Sequence, residues 1–139
     1  MRTIKFRGKD KSGQWHYGSL ILATGQWYKA KGGGGFHKEW IAESVITNGG
    51  YINLQKRFCV KEETIGQFTG LLDKNGRDIY EGDILKIKGE RSRLEVRFVR
   101  GVFAFLWNGD LDDEFPTCCP THEWAEVIGN IHDNPKLLK

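Results

Sequence analysis

The strongest constraint on the fold is an alternation of apolar and polar residues in short runs that glycine, asparagine or aspartate interrupts. In one such run, Leu94, Val96 and Phe98 alternate with the charged Glu95 and Arg97. A period of two places successive side chains on opposite faces of a strand, whereas the 3.6-residue period of a helix is scarce in this chain. The sequence therefore predicts a mainly β fold, in the form of a β-rich α+β protein.

The strand runs divide the chain into two predicted domains. Residues 67–139 contain a tight turn at Asn75-Gly76, and the strands that follow it are close together in sequence. Such strands curl, and closure into an SH3-like small barrel with a C-terminal tail removes exposed edges. Residues 1–66 are predicted to form a second β-rich domain that opens with a hairpin. The remaining predicted elements are strands near residues 84–88, 94–99, 102–107 and 124–131, a strand at 26–28, and a short helix or irregular segment at 40–45.

Four consecutive glycines predict a flexible loop at residues 31–35. The basic residues Lys29 and Lys31 precede the glycines, and Lys38 follows them. A phosphate-binding loop requires Gly-Lys-Ser/Thr leading into a helix, and the sequence after these glycines, Phe36-His37, does not match that pattern. The run is therefore interpreted as a flexible connection.

Length and composition exclude several classes of protein. At 139 residues the chain can bury a core without metals or disulfides. No apolar run approaches the ~20 residues that cross a bilayer, and the N-terminus lacks the apolar segment of a secretory signal. The three cysteines, Cys59, Cys118 and Cys119, are an odd number and are interpreted as free thiols. We expect a cytoplasmic protein without a cofactor.

The formal net charge of +3 conceals an uneven distribution. Residues 1–66 hold 11 Lys and Arg against 5 Asp and Glu, whereas residues 67–139 hold 10 against 13. Within the second half, residues 86–100 carry a balance of +4 and residues 110–126 a balance of −6. Such blocks are typical of solvated edges and loops. They also fit self-association, in which a basic face of one copy meets an acidic face of another, or a nucleic-acid contact on the basic hairpin.

Cys118, Cys119 and His122 form a weak candidate for a metal or thiol site. Adjacent cysteines rarely converge on one zinc ion, even with Cys59 as a fourth ligand. As a nucleophile, either thiol needs a base and an activating environment, and closeness in sequence does not supply that geometry. A small metal- or thiol-dependent enzyme is therefore the least favoured class of function.

Four carboxylates, Asp73, Asp78, Glu81 and Asp83, surround the central turn. Their order does not match that of a calcium-binding loop. Aspartate side chains at bends accept hydrogen bonds from nearby backbone amides, so a turn-capping role is predicted. The histidines, including His16, are predicted to lack a specific acidic partner.

Three blocks of the sequence resemble the YopX family, small proteins carried by phages and prophages. They are residues 4–8, Ile-Lys-Phe-Arg-Gly; residues 64–84, which include Gly-Leu-Leu-Asp-Lys-Asn-Gly-Arg-Asp-Ile-Tyr-Glu-Gly-Asp; and residues 127–138, which include Ile-Gly-Asn-Ile-His-Asp-Asn-Pro. The resemblance covers essentially the full length, and its central block is the most specific. It implies an N-terminal association subdomain, a C-terminal SH3-like barrel and oligomeric subunits, and it implies no catalytic residues.

These features predict a phage or prophage accessory protein, not an enzyme, that assembles with itself and binds a host or phage protein. The alternative is a nucleic-acid-binding module that uses the basic segments 86–100 and 29–38. In either case the contact is expected at cations and tryptophans of the basic segments. The candidate contact residues are Trp27, Lys29, Lys31, Lys38, Trp40, Lys86, Lys88, Arg91, Arg93 and Arg97.

Overall fold

The structure is a computed structural model that describes residues 3–22, 39–42, 45–46, 52–53, 56–110 and 124–139. Within these ranges the chain consists mainly of antiparallel strands and turns, which confirms the predicted mainly β class. It divides into two compact units, which we call the first unit (Ile4–Gln67) and the second unit (Phe68–Lys139 together with Thr3). The predicted flexible loop at 31–35 and the predicted strand at 26–28 lie outside the described residues.

The first unit is built on an antiparallel sheet. Its strands are β1 (Phe6–Lys9), β2 (Trp15–Leu22), β3 (Glu39–Ala42), β4 (Val45–Ile46), β5 (Ile52–Asn53), β6 (Arg57–Cys59) and the start of β7 (Gly66–Leu72). The sheet order is β6-β3-β2-β1-β7, while β4 and β5 pair only with each other. A 3-10 turn at Glu62–Thr64 precedes β7.

Two predictions for the first unit have different outcomes. The opening hairpin is confirmed, since β1 and β2 pair antiparallel around a turn at residues 10–14. The helix or irregular segment at 40–45 is wrong, because Trp40, Ile41 and Ala42 lie in β3. Side chains on both faces of that strand are covered, since Ile41 and Ala42 are 0% exposed and Trp40 is half-buried, so its consecutive apolar residues show no alternation that indicates a strand.

The second unit continues β7 and adds a four-stranded sheet. Its further strands are β8 (Asp78–Tyr80), β9 (Asp83–Ile87), β10 (Arg93–Val99), β11 (Val102–Trp107) and β12 (Ala125–Asn130), followed by a 3-10 turn at Pro135–Leu138. The sheet order is β11-β10-β9-β12, and β7 pairs with β8 across the Asn75-Gly76 turn. The predicted strands of this half are confirmed. Closure into a barrel stays a prediction, because the strand pairs of the described residues form an open order.

One face of the four-stranded sheet packs into an apolar core. Its buried side chains alternate along the strands, as the sequence predicted, and they are Ile79, Leu85, Leu94, Val96, Phe105, Ala125 and Val127. The alternation of apolar with charged residues in β9 and β10 predicts that the other face is exposed to water, and this is wrong near its centre. Ile84 is 0% exposed and Glu95 is 4% exposed on that side, because the sheet is covered there on both faces.

Candidate interaction surfaces

One face of the first unit's sheet carries aromatic rings beside cations. The β1–β2 register places Arg7 opposite Tyr17 and Lys9 opposite Trp15, so all four side chains share that face. The Arg7 guanidinium carbon lies 4.9 Å from the centre of the Trp15 ring, and Lys9 Nζ lies 5.6 Å from it. These distances are in the range of cation–π attraction. Tyr17 is 47% exposed, so the face is accessible at this point.

The same face continues onto β3 and β6. Trp40 lies opposite Ile21 on one side and Cys59 on the other, and its side chain is half-buried. The Arg57 guanidinium carbon lies 5.4 Å from the Trp40 ring centre. Trp40, a predicted contact residue, is therefore part of a larger surface that the sequence did not indicate. We call it the aromatic face; it comprises Trp15, Tyr17, Trp40, Arg7, Lys9 and Arg57.

The opposite face of that sheet holds a histidine–carboxylate pair. His16 is buried, its Nε2 lies 2.8 Å from Asp10 Oδ2, and its ring stacks on Phe58 with ring centres 3.8 Å apart. Asp10 also accepts hydrogen bonds from the Ser12 hydroxyl and the Gln14 backbone N–H. The hydrogen bond with His16, followed by those from Ser12 and Gln14, holds the pKa of Asp10 well below its usual range.

The pairing of His16 corrects the sequence prediction that it lacks an acidic partner. The two residues are six positions apart, and the hairpin turn between β1 and β2 brings their side chains together. An Asp and a His at the two ends of a predicted hairpin turn are the signal that would have revealed the pair. Asp10 links His16 to the backbone of the turn, so the pair has a structural role in the hairpin.

The predicted contact residues of the second unit all lie on β9, on β10 or in the turn between these strands. Lys86 is exposed on β9, and Arg93 lies directly opposite it on β10. Lys88 and Arg91 are exposed in the connecting turn. Four of the five cations thus lie around one end of the β9–β10 hairpin.

Arg97, the fifth predicted residue, has its charge compensated within the sheet. Its Nε and Nη2 donate to Glu95 Oε1 at 2.9 and 2.7 Å. Glu95 is buried, so this ion pair is partly shielded from solvent. Gly109 lies against the pair, because a Cβ at that position would lie 2.5 Å from Glu95 Oε2.

Two turns of the same type bracket β11. Arg100 and Gly101, with φ of 51° and 86°, connect β10 to β11, and Asn108 and Gly109, with φ of 49° and 77°, follow β11. Two successive positive φ values define a type I′ turn, in which Asn-Gly is strongly preferred. Arginine in the left-handed region costs roughly 1–2 kcal/mol. The β10–β11 turn thus carries a residue that the backbone disfavours.

The central turn is organised by a single carboxylate. Asp73 Oδ1 accepts the backbone N–H of Asn75 at 2.8 Å and of Arg77 at 2.9 Å, and Oδ2 accepts the N–H of Val127 at 3.0 Å. Burial of Asp73 opposes its ionisation, but these three donors and the Arg77 charge outweigh burial and lower its pKa below the usual value. The turn-capping role predicted for Asp73 is confirmed.

The Asp73 turn also closes one edge of the four-stranded sheet. Val127 belongs to β12, the terminal strand of that sheet, and the Lys74 N–H donates to the carbonyl of Ala125 in the same strand at 3.0 Å. Exposed strand edges invite pairing with other chains, and a turn bound along the edge removes that opportunity. Asp83 caps the next bend, since its Oδ2 accepts the Tyr80 N–H at 2.8 Å.

The described residues contain neither a metal-binding cluster nor a membrane-spanning helix, and several predicted residues lie outside them. Within the described ranges, no group of three or more His, Cys, Asp or Glu side chains is arranged to hold a metal ion. Among the same residues, no helix has the length and apolar character needed to span a membrane. The predicted site residues that lie outside the described ranges are Trp27, Lys29, Lys31, Lys38, Cys118, Cys119 and His122.

The fold and surfaces define a mainly β protein of two compact units whose hydrogen-bonded aspartates cap turns. The chain belongs to the YopX family, because the family model described as YopX protein matches residues 5–139. This confirms the family resemblance. Among solved structures, the chain is similar to protein EF1440 from Enterococcus faecalis, with 25% identical residues, a TM-score of 0.57 and 100% of both chains covered. The comparison with curated proteins gives no match.

Proposed function

We propose that this protein is a phage or prophage accessory protein that acts without catalysis in the bacterial cytoplasm. It assembles with itself and binds a host or phage protein. The observation that carries the proposal is the aromatic face of the first unit, where Tyr17 is 47% exposed between Trp15 and the exposed Ser19.

The composition of the aromatic face is that of a protein-binding surface. Tryptophan, tyrosine and arginine dominate the residues that contribute most to protein–protein affinity, because each offers a large apolar area with a polar end. The face contains all three residue types on adjacent strands of one sheet. A cation–π contact holds the exposed Arg57 against Trp40, which limits the side-chain entropy lost on binding. Arg7 is only 4% exposed, so it supports the Trp15 ring and is not itself a contact residue.

The absence of catalysis in the proposal is supported by how four titratable side chains of the described residues are used. Asp10 and His16 serve the β1–β2 turn, and Asp73 and Asp83 bind backbone amides of the central segment. Hydrogen bonds lower the pKa of Asp10 and of Asp73, whereas a catalytic acid or base needs a pKa close to the working pH.

The first experiment compares two serine substitutions on β2. Tyr17→Ser removes the exposed ring from the aromatic face, whereas Leu22→Ser alters a side chain that is 59% exposed on the opposite face of the strand. We expect Tyr17→Ser to weaken self-association about 30-fold, the effect of losing a residue worth ~2 kcal/mol at an interface. Sedimentation equilibrium measures the association, and circular dichroism checks that both variants fold.

Equal association by the wild type and both variants would contradict the proposed surface. Affinity capture from bacterial lysate, with and without nuclease, tests the partner. We expect a nuclease-resistant protein that the wild type and Leu22→Ser retain and that Tyr17→Ser loses. Capture of no nuclease-resistant protein, or of one that all three proteins retain equally, contradicts the proposal of a protein partner at this face.

A further inference from the structure

We infer that the second unit binds the sugar–phosphate backbone of nucleic acid through a basic hairpin formed by β9, β10 and their two turns. This inference goes beyond the proposed function and does not depend on the aromatic face. The cations that define the basic hairpin are Lys86, Lys88, Arg91, Arg93 and Arg100.

The first observation is the residue chosen for the β10–β11 turn. Arg100 has a φ of 51° at a position where Asn or Gly adopts the left-handed region at lower cost. The neighbouring turn of the same type uses Asn108, which shows that this chain supplies the favoured residue elsewhere. Residues with a strained backbone conformation cluster at functional sites. At Arg100 the strain is accompanied by an exposed positive charge.

The second observation is a like-charge pair inside the sheet. Lys86 and Arg93 are direct partners of the β9–β10 register and therefore project from the same face. Like charges directly opposite each other destabilise a strand pair. Glu126 lies opposite Lys86 on β12, but its Oε2 is 2.6 Å from Lys74 Nζ, outside the hairpin. The Lys86–Arg93 pair and Arg100 are thus two separate positions at which a cation is present although it lowers the stability of the local structure.

The acidic residues of the same segment do not cancel that charge at the surface. Glu95 is buried and bound to Arg97, and Asp83 is 1% exposed and accepts the Tyr80 N–H. Glu90 is exposed in the turn between Lys88 and Arg91, where two cations flank it. Counted over the described side chains of residues 83–100 alone, the exposed surface of the basic hairpin therefore carries more positive than negative charge.

The spacing of the cations fits an extended polyanion. The turn that carries Lys88 and Arg91 lies at one end of β10, and Arg100 follows the other end. The seven residues of β10 span roughly 23 Å at about 3.3 Å per residue. Phosphates repeat about every 3.4 Å along one strand of duplex DNA, so the cations at the two ends of β10 are about seven phosphates apart. A compact anion would contact the cations at only one end of β10.

The decisive experiment is fluorescence anisotropy with two labelled probes, a DNA single strand of about 30 nucleotides and a duplex of the same length. We expect the wild type to bind with an affinity that falls steeply between about 50 and 200 mM salt. Arg100→Asn removes one cation and supplies the residue that the turn prefers. It is expected to weaken binding about three- to tenfold and to reduce the salt slope by about one.

The same variant makes the test independent of folding. Relief of the left-handed arginine is expected to raise the melting temperature of Arg100→Asn by about 3 °C, so weaker binding cannot be attributed to unfolding. Lys86→Gln is expected to weaken binding similarly. The matched control is Lys136→Asn, an exposed cation of the same unit outside the hairpin, which is expected to bind like the wild type.

Binding of either probe with this pattern of variants supports the inference, and the ratio of the two affinities tells which form of backbone fits. The inference is overturned if the wild type binds neither probe at low salt. It is also overturned if Arg100→Asn and Lys136→Asn behave alike, which would indicate diffuse attraction. Loss of a nuclease-resistant protein partner in Arg100→Asn, without DNA binding by the wild type, would identify the hairpin as a protein surface instead.

Discussion

The two units use the same device, an aspartate that caps a tight turn, over very different distances. Asp10 in the first unit binds groups within six residues of itself, on a turn at the surface. Asp73 in the second unit is buried and binds both its own turn and Val127, which is 54 residues away. One carboxylate therefore stabilises a local hairpin, whereas the other connects segments that are distant in sequence.

The units also differ in how they hold their cations. In the first unit, Arg7 and Arg57 lie over tryptophan rings, which lowers their freedom and covers part of the charge. In the second unit, Lys86 lies opposite Arg93, and Arg100 occupies a strained turn. The first arrangement suits a surface whose affinity comes from rings, and the second suits one whose affinity comes from charge.

The largest effect is expected from Asp73→Ala, which should lower the free energy of unfolding by about 3–5 kcal/mol. The substitution removes the charged acceptor of three backbone N–H groups. The buried N–H of Val127 is then left without its hydrogen-bond acceptor. Urea denaturation measures the change. Glu90→Ala, in an exposed turn of the same unit, is the control and should change stability by less than ~0.5 kcal/mol. An Asp10→Ala variant as destabilised as Asp73→Ala would break the comparison between local and long-range turns.

A smaller loss, about 1–3 kcal/mol, is expected from Gly8→Ala in the first unit. The added Cβ would lie 2.8 Å from Val60 Cβ and Cγ2, and Val60 is only 2% exposed, so the neighbour has little room to move. Val60→Gly removes all three close atoms, and the double variant should be more stable than the sum of the single effects predicts. A double-mutant cycle by urea denaturation tests this; strictly additive effects would mean that the contact is absent.

The smallest effect is expected on the pH dependence of the free energy of unfolding. Hydrogen bonds lower the pKa of Asp10 and of Asp73 in the folded state, so their stabilisation is fully present above the unfolded value of about 4 and is lost as the pH falls below it. We expect Asp10→Asn to be less sensitive to a change from about pH 6 to pH 3 than the wild type. Urea denaturation at both pH values measures this difference, and an unchanged pH dependence would show that the His16–Asp10 pair does not couple to folding.

The strands of the second unit were predictable from the sequence because their information is local. Alternation in β9 and β10, together with glycine-containing turns, specifies both the strands and the faces of their side chains. Burial was less predictable, since Ile84 and Glu95 lie on the face that the pattern marks as wet. Whether a second layer covers a strand depends on other segments of the chain, and alternation carries no information about them.

The candidate surfaces were only partly predictable. Lys86 and Arg93 could be named from the charge block, but their direct opposition depends on the register between two strands. The aromatic face depends on the pairing of four strands, one of which, β3, was not predicted as a strand at all. Arg97 was predicted as a contact residue from its positive charge alone. The ion pair with Glu95 that compensates this charge forms only when the strand is folded and Glu95 is buried.

The bond between Asp73 and Val127 has a consequence for the order of events during synthesis. A ribosome makes the Asp73 turn well before it makes β12, because 54 residues separate the two hydrogen-bonded positions. Until β12 is available, the turn can form its local bonds to Asn75 and Arg77 but not its bond to the sheet. A nascent chain paused between these positions therefore has the residues for the local part of the Asp73 hydrogen-bond set only, and the bond to Val127 becomes possible once β12 has been synthesised.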